Sequence, residues 1–339
     1  SIDQARQLGF TSAQNITFRL DPSLATGGTL DARQLPGEYA IRGTNQSDVL
    51  IGNASNNTIY LGAEEALGSG AGADTVMAGA GNDQIVLSAT HTVTRPLGWQ
   101  IFSAYDTPTH TYFETGQIDG GEGQDTLVID LSVPWWAHAW GGDALYYSGT
   151  TTPTWYLDLH NWTWSQLEKL EVRSPSDYND RPWEFPAEIT LSTDQINLLA
   201  SASGLKAVSI VGGGALNLAH LADLNINVWR VADALAYTVT GTDSGDSLSL
   251  TSGSYNAQLG AGDDEFVIDG KPLVKDTLDG GTGTDTVTIR GEDVDLSGAT
   301  LTGIEHINVT AKSLSMTAAQ WAAWGPLVQR VSGSQTGFI

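Results

Sequence analysis

The stretch Gly280-Gly281-Thr282-Gly283-Thr284-Asp285-Thr286-Val287-Thr288 constrains this chain more than any other, because it fits the nine-residue pattern G-G-x-G-x-D-x-U-x, with U a large apolar residue, at every specified position. Its glycines accept positive φ and let two backbones approach closely. The first six residues can therefore turn with carbonyls facing inward, while the last three extend as a strand whose apolar side chain enters a core. The turn gathers oxygens and Asp285 adds a charged one, a set that suits a hard cation with about six to eight oxygen ligands. One such segment is half a coil, and it buries its apolar face only when copies stack on it.

Copies are present. Gly120-Gly121-Glu122-Gly123-Gln124-Asp125-Thr126-Leu127-Val128 is a second full match, and the tandem segments 69–77 and 78–86 keep Gly-x-Gly-x-Asp-x-U through Asp74 and Asp83. Further on, 241–249 carries Asp246 and Leu248, and 259–267 carries Gly260, Gly262, Asp264 and Phe266. The segment between them, 250–258, has no aspartate, and Asp276 follows an excess of three residues around Gly270-Lys271-Pro272. This set resembles the RTX (repeats-in-toxin) family of secreted bacterial proteins. The resemblance implies an all-β fold, a parallel β-roll or β-solenoid with calcium bound between turns.

In an RTX roll one coil is two nonapeptides, so turns on one side come from alternate repeats. Applied here, that rule stacks Asp246, Asp264 and Asp285 on one side with Asp276 on the other, and puts Asp74 and Asp83 on opposite sides. The resemblance makes Asp74, Asp83, Gly120, Gly121, Gly123, Asp125, Asp246, Gly260, Gly262, Asp264, Asp276, Gly280, Gly281, Gly283 and Asp285 the candidate calcium ligands and turn formers, for several ions. Each aspartate also has a plainer reading, an Asx-turn without metal. Gln46 stands where the third glycine belongs and Asn57 where an aspartate belongs, so the coil over 43–60 is expected to hold calcium poorly.

Composition narrows the partners. Asp and Glu number 39 against 15 Lys and Arg, a net charge of −24 that repels phosphates and argues against nucleic acid or an anionic membrane surface. Cysteine is absent, which removes disulfides and thiolate metal sites and leaves calcium as the candidate staple. Apolar runs such as 196–202 are too short to span a bilayer. Ser1 begins without a basic-then-apolar signal segment, which the resemblance reconciles with a secreted or cell-surface product, since RTX proteins leave by one-step secretion directed from their C-terminal end.

The chain reads as an internal duplication. Tyr39-Ala40-Ile41-Arg42-Gly43-Thr44 and Tyr237-Thr238-Val239-Thr240-Gly241-Thr242 open two repeat regions alike. Asp158-Leu159 with Leu167-Glu168-Lys169-Leu170 then matches Asp295-Leu296 with Ile304-Glu305-His306-Ile307 at identical spacing, and each half closes on a short helix capped by Ser192 or Thr317. Expected boundaries are an N-terminal cap over 1–38, a first roll over 39–200, connecting coils over 201–236, and a second roll with its cap over 237–339.

Aromatic inserts interrupt the first half at 88–116 and 133–186. The longer one carries Trp135, Trp136, Trp140, Tyr146, Tyr147 and Trp155, a candidate surface for a glycan or for a neighbouring copy of the protein, with capping of the apolar core as the alternative. His91, His110, His138 and His160 have no zinc-ligand spacing. No G-x-S-x-G, H-E-x-x-H or G-x-x-x-x-G-K occurs. The expected function is an extracellular calcium-binding structural or adhesive module of a bacterial surface protein, as in surface layers or adhesins; the alternative is a polysaccharide-active enzyme or glycan-binding accessory domain.

Overall fold

The computed structural model describes residues 16–62, 72–88, 111–112, 116–130, 155–173, 187–203, 207–221, 228–231, 235–251, 253–270, 273 and 275–331. The chain divides into two compact units, 1–189 with 198–205, and 190–197 with 206–339. The five aromatic residues Trp135, Trp136, Trp140, Tyr146 and Tyr147 lie outside the described residues. Trp155 opens a strand, Trp155–Asp158, but its side chain is likewise outside them.

In the first unit most strands fall on two parallel sheets, with Thr111–Tyr112 and Trp155–Asp158 paired to each other outside both. One sheet runs Thr17–Arg19, Ala40–Arg42, Thr58–Tyr60, Gln84–Ser88, Thr126–Asp130, Lys169–Arg173 and Ser201–Ser203; the other runs Thr29–Asp31, Val49–Ile51, Thr75–Ala80, Gln117–Glu122 and Thr163–Ser165. Each nonapeptide therefore supplies one strand, and its U residue joins a row facing inward. Ile41, Ile59, Ile85, Leu127 and Leu170 pair in register along one sheet, and Leu30, Leu50, Val76, Ile118 and Trp164 along the other, all of them buried. A row of this kind gives each strand an apolar neighbour above and below, which is why three to six residues suffice for a rung.

The second unit repeats the scheme. Ala207–Val211, Val228–Val231, Ser247–Leu250, Glu265–Asp269, Thr286–Arg290, His306–Val309 and Val328–Val331 form one parallel sheet, and Gly214–Asn217, Ala236–Thr240, Ser254–Ala261, Thr277–Thr282 and Thr300–Thr302 the other. Leu248, Phe266, Val287 and Ile307 make one inward row, and Leu216, Val239, Ala257, Leu278 and Leu301 the second. The fold is thus an all-β parallel roll.

The duplication is visible element by element. Trp162 donates its backbone N–H to Leu159 O at 3.0 Å, and its counterpart Ala299 does the same to Leu296 O at 2.8 Å. Both short helices begin with a reciprocal capping box. Gln195 donates its N–H to Ser192 Oγ (3.2 Å) while its Oε1 accepts from Ser192 N–H (2.8 Å), and Gln320 and Thr317 repeat the exchange at 3.2 and 2.8 Å. Trp162 and Trp164, at the positions of Ala299 and Leu301, are 4 % and 6 % exposed and fill the core. A side chain on Gly116 would come within 2.4 Å of the Trp162 ring, so glycine there makes room for it.

Candidate metal centre

The turns between strands stack into columns, and the columns are stitched by aspartates. In the first unit Asn57 N–H donates to Asp83 Oδ1 at 2.6 Å, Asp83 N–H to Asp125 Oδ1 at 2.7 Å, and Asp125 N–H to Glu168 Oε2 at 2.8 Å. On the opposite side Asp48 N–H donates to Asp74 Oδ1 at 2.8 Å. In the second unit the same chain of bonds runs Asp246 to Asp264 (2.7 Å), Asp264 to Asp285 (2.9 Å) and Asp285 to Glu305 (2.8 Å). Asp276 lies on the other side, accepting from Tyr255 N–H at 2.6 Å. One carboxylate oxygen per rung is thereby used, always by the backbone of the preceding turn in its column.

The second oxygen is the informative one. Oδ2 of Asp83, Asp125, Asp264 and Asp285 is buried with no hydrogen-bond partner, in residues no more than 2 % exposed. An ionised oxygen in that position costs several kcal/mol unless a cation or a proton meets it. Its surroundings are oxygens too. A Cβ built on Gly120 would lie 2.7 Å from Asp125 Oδ2 and 2.0 Å from Gln166 O, while one on Gly280 would lie 2.6 Å from Asp285 Cγ and 2.3 Å from Gly303 O. The first glycine of the motif thus lets its own aspartate and the next turn's carbonyl approach more closely than any side chain would allow.

The later glycines set the stacking distance. Gly121 (φ +95) and Gly123 (φ +145) would place a Cβ 1.7 Å from Gly79 O and 1.8 Å from Gly81 O; Gly281 (φ +101) and Gly283 (φ +142) would do so at 2.0 and 1.8 Å from Gly260 O and Gly262 O. Turns in contact this closely bring main-chain carbonyls together between rungs. Among the described residues no three acidic or histidine side chains converge tightly enough to hold an ion by themselves. Carboxylate plus carbonyl is therefore the donor set on offer, and it is the hard-oxygen chemistry that calcium favours.

Electrostatics point the same way. Burial pushes the Asp83 and Asp264 carboxyls up to about 7 against one stabilising backbone N–H each, with Asp125 adding repulsion at the first, and Asp246, Asp285 and Asp263 at the second. Burial likewise raises Asp125, Asp246 and Asp285, and Glu168 and Glu305 add repulsion at Asp125 and Asp285. Because these folded-state values lie above the unfolded value of 3.8, the metal-free fold holds more protons than the unfolded chain from about pH 4 to about 7. Their contribution is fully present below 3.8 and lost as pH rises through about 7. Metal-free protein should accordingly melt at a higher temperature near about pH 5 than near about pH 8, while calcium affinity rises over the same interval as the ion displaces protons. Metal-free melts that gain stability with rising pH would contradict the protonated carboxyls.

The columns begin and end differently from their middles. Towards the N-terminus, Asp48 Oδ1 accepts from Gly28 N–H at 2.7 Å and its Oδ2 from Thr44 N–H at 2.5 Å, and Asp246 Oδ2 accepts from Thr242 N–H at 2.7 Å, so these oxygens are satisfied by protein. The head with Asn57 is neutral. Asn57 Oδ1 accepts from Asn53 N–H (2.9 Å), and Asn53 Nδ2 donates to Leu35 O (2.6 Å) and Gly37 O (2.8 Å), an amide standing among carbonyls of the preceding turn. Glu168 and Glu305, at the ends, escape a search for the nonapeptide because no glycine motif precedes them. Their matched place in the duplication is the signal that could have found them.

Residues 41–64, 69–89 and 275–288 match the RTX calcium-binding nonapeptide repeat, in four copies. The stretch Gly120–Val128 lies outside the matched ranges, yet its turn is bonded between those of Asp83 and Glu168. Neither a curated protein nor a solved structure matches the chain. Among the described residues no helix is long and apolar enough to cross a membrane.

Proposed function

We propose that this chain, which carries RTX calcium-binding nonapeptide repeats, is an extracellular calcium-locked structural or adhesive module of a bacterial surface protein. The observation that carries the calcium half of this reading is the set of buried, unpartnered Oδ2 atoms of Asp83, Asp125, Asp264 and Asp285, in turns whose glycines pack against the carbonyls of neighbouring turns. Asp74, Asp246 and Asp276 occupy corresponding places in their columns and join the ligand set with the turn carbonyls around Gly120, Gly121, Gly123, Gly260, Gly262, Gly280, Gly281 and Gly283. Calcium, when bound, supplies the positive charge that these acids lack. The chain's part is to hold the oxygens in register through the aspartate-to-backbone bonds.

An affinity of about 10⁻⁴ to 10⁻³ M, usual for extracellular calcium modules, would leave the chain metal-free in a low-calcium cytoplasm and loaded outside it. The structural or adhesive half is supported by the absence of recognisable catalytic motifs and by the aromatic residues of 133–154; the expected insert over 133–186 is shorter than its bounds, because Thr163–Ser165 and Lys169–Arg173 are rungs of the roll. The test is attachment. Replacing Trp135, Trp136 and Trp140 together by serine should leave the calcium-loaded melt within a few degrees while abolishing calcium-dependent retention on bacterial surface glycan or assembly with further copies. Unchanged retention and assembly would remove this insert as the contact surface. A loss of roughly 3 kcal/mol or more per ring would show instead that these rings belong to the core.

A further inference from the structure

In each of the two duplicated units the longer aspartate column ends on a turn that is not a nonapeptide. In the first it is Gln166-Leu167-Glu168 and in the second Gly303-Ile304-Glu305. The two are built alike. Gln166 has φ +50 and Gly303 φ +57, and in both the glutamate N–H and the next N–H converge on the last aspartate's carbonyl. Glu168 and Lys169 donate to Asp125 O at 3.2 and 2.9 Å, Glu305 and His306 to Asp285 O at 3.0 and 3.0 Å. Each glutamate then takes the role that an aspartate plays one rung earlier, its Oε2 accepting from Asp125 or Asp285 N–H at 2.8 Å. These closing turns lack the G-G-x-G run, and the extra methylene of glutamate makes up the reach.

The geometry points to a calcium site at each closing junction, held by Asp125 and Glu168 with Gln166 O in the first unit and by Asp285 and Glu305 with Gly303 O in the second. The independent sign of a ligand is the orphaned oxygen itself. Asp125 and Asp285 are fully buried, and their Oδ2 atoms have no partner. A side chain on Gly120 would collide with both Asp125 Oδ2 (2.7 Å) and Gln166 O (2.0 Å), which places these two oxygens together beside that glycine. Further oxygens crowd the second site, since a Cβ on Gly303 would lie 3.0 Å from Asp279 Oδ1 and 3.0 Å from Gly281 O. Asp119, the counterpart of Asp279, adds negative charge at Asp125 as Asp279 does at Asp285. A lone closing glutamate with no cation would add one more like charge to a junction already short of positive charge.

This inference rests on calcium occupying the nonapeptide junctions, and the experiment separates the two. Calcium is titrated calorimetrically into the full chain and into the Glu168→Gln, Glu305→Gln double variant. Glutamine keeps an oxygen to accept the aspartate N–H. The double variant should bind two fewer ions than the parent, with unchanged circular dichroism at saturating calcium. An equal number of ions at equal affinity overturns the closing sites. Infrared spectra of parent protein labelled with ¹³C only at glutamate side-chain carboxyls make the test independent of how the variant folds. Calcium should shift the labelled antisymmetric carboxylate stretch, and no shift in protein that demonstrably takes up calcium overturns the proposal. A parent chain that takes up no calcium at all fails the underlying reading instead.

Discussion

Stripping calcium from this protein should remove most of its folding stability. The folded chain holds Oδ2 of Asp83, Asp125, Asp264 and Asp285 in dry positions without partners, within a molecule of net charge −24. Without the ion those oxygens must take protons or repel one another, and unfolding relieves both by returning them to water. A ligand that binds only the folded state stabilises by about 2.7 kcal/mol per site at a hundredfold excess over its Kd. For the junctions of these aspartates together that reaches roughly 10 kcal/mol, comparable with the whole stability of an ordinary domain. Melts followed by circular dichroism should therefore show strand signal with a cooperative transition in about 10 mM calcium, and no transition or one tens of degrees lower in chelator. A midpoint indifferent to calcium would refute the metal-locked roll.

The second large effect is expected at Gly121 and Gly281. An alanine at Gly121 would drive its Cβ to 1.7 Å from Gly79 O, and one at Gly281 to 2.0 Å from Gly260 O, each at a φ near +100 that disfavours any side chain. The obstacle is backbone, so no rotamer change relieves it, and the rungs must move apart. That breaks ladder hydrogen bonds and withdraws a carbonyl from the junction at once. Gly270 is the control, because it too has positive φ (+65) but a Cβ there meets nothing within 4 Å. Gly270→Ala should cost about 1–2 kcal/mol from backbone strain alone. Gly121→Ala and Gly281→Ala should cost at least ~3 kcal/mol in urea melts at saturating calcium and also weaken calcium binding. Equal, small losses at all three positions would mean that the turns do not stack this closely.

The roll was legible because the nonapeptide couples two periodicities that a reader can count. U residues such as Val76, Ile118, Phe266 and Val287 recur where strands must turn inward, and they lie buried in rows. The alternate-rung spacing brings Asp246, Asp264 and Asp285 to one side, and the backbone bonds run through those residues. Glu168 and Glu305 stayed hidden because a ladder position needs only an oxygen at the right height, and glutamate on a shortened turn delivers it without glycine. Asn53 was hidden for a related reason, since its amide ties turns together from a place where the motif specifies no residue type. Trp162 and Trp164 alternate with Thr163 and so share one face, and the small and aliphatic Ala299 and Leu301 at the duplicated positions are what mark that face as the core.

The columns have a direction. Each aspartate carboxylate accepts a backbone N–H from the turn before it, so every rung is completed by residues that come later in the chain. A stack cut on its N-terminal side exposes carboxylates, which water solvates readily. Cut on its C-terminal side, it loses the acceptor for a buried N–H, which water in a packed turn replaces poorly. The two ends are therefore unequal in what they demand. Towards the N-terminus Asp48, Asp246 and Asn57 are met by Thr44, Thr242 and the Asn53 backbone, whereas the columns through Asp125 and Asp285 are each closed by a glutamate. Such a roll can gain or lose coils at its front by duplication while its last turn is kept, so growth in length belongs to one end and the stop to the other.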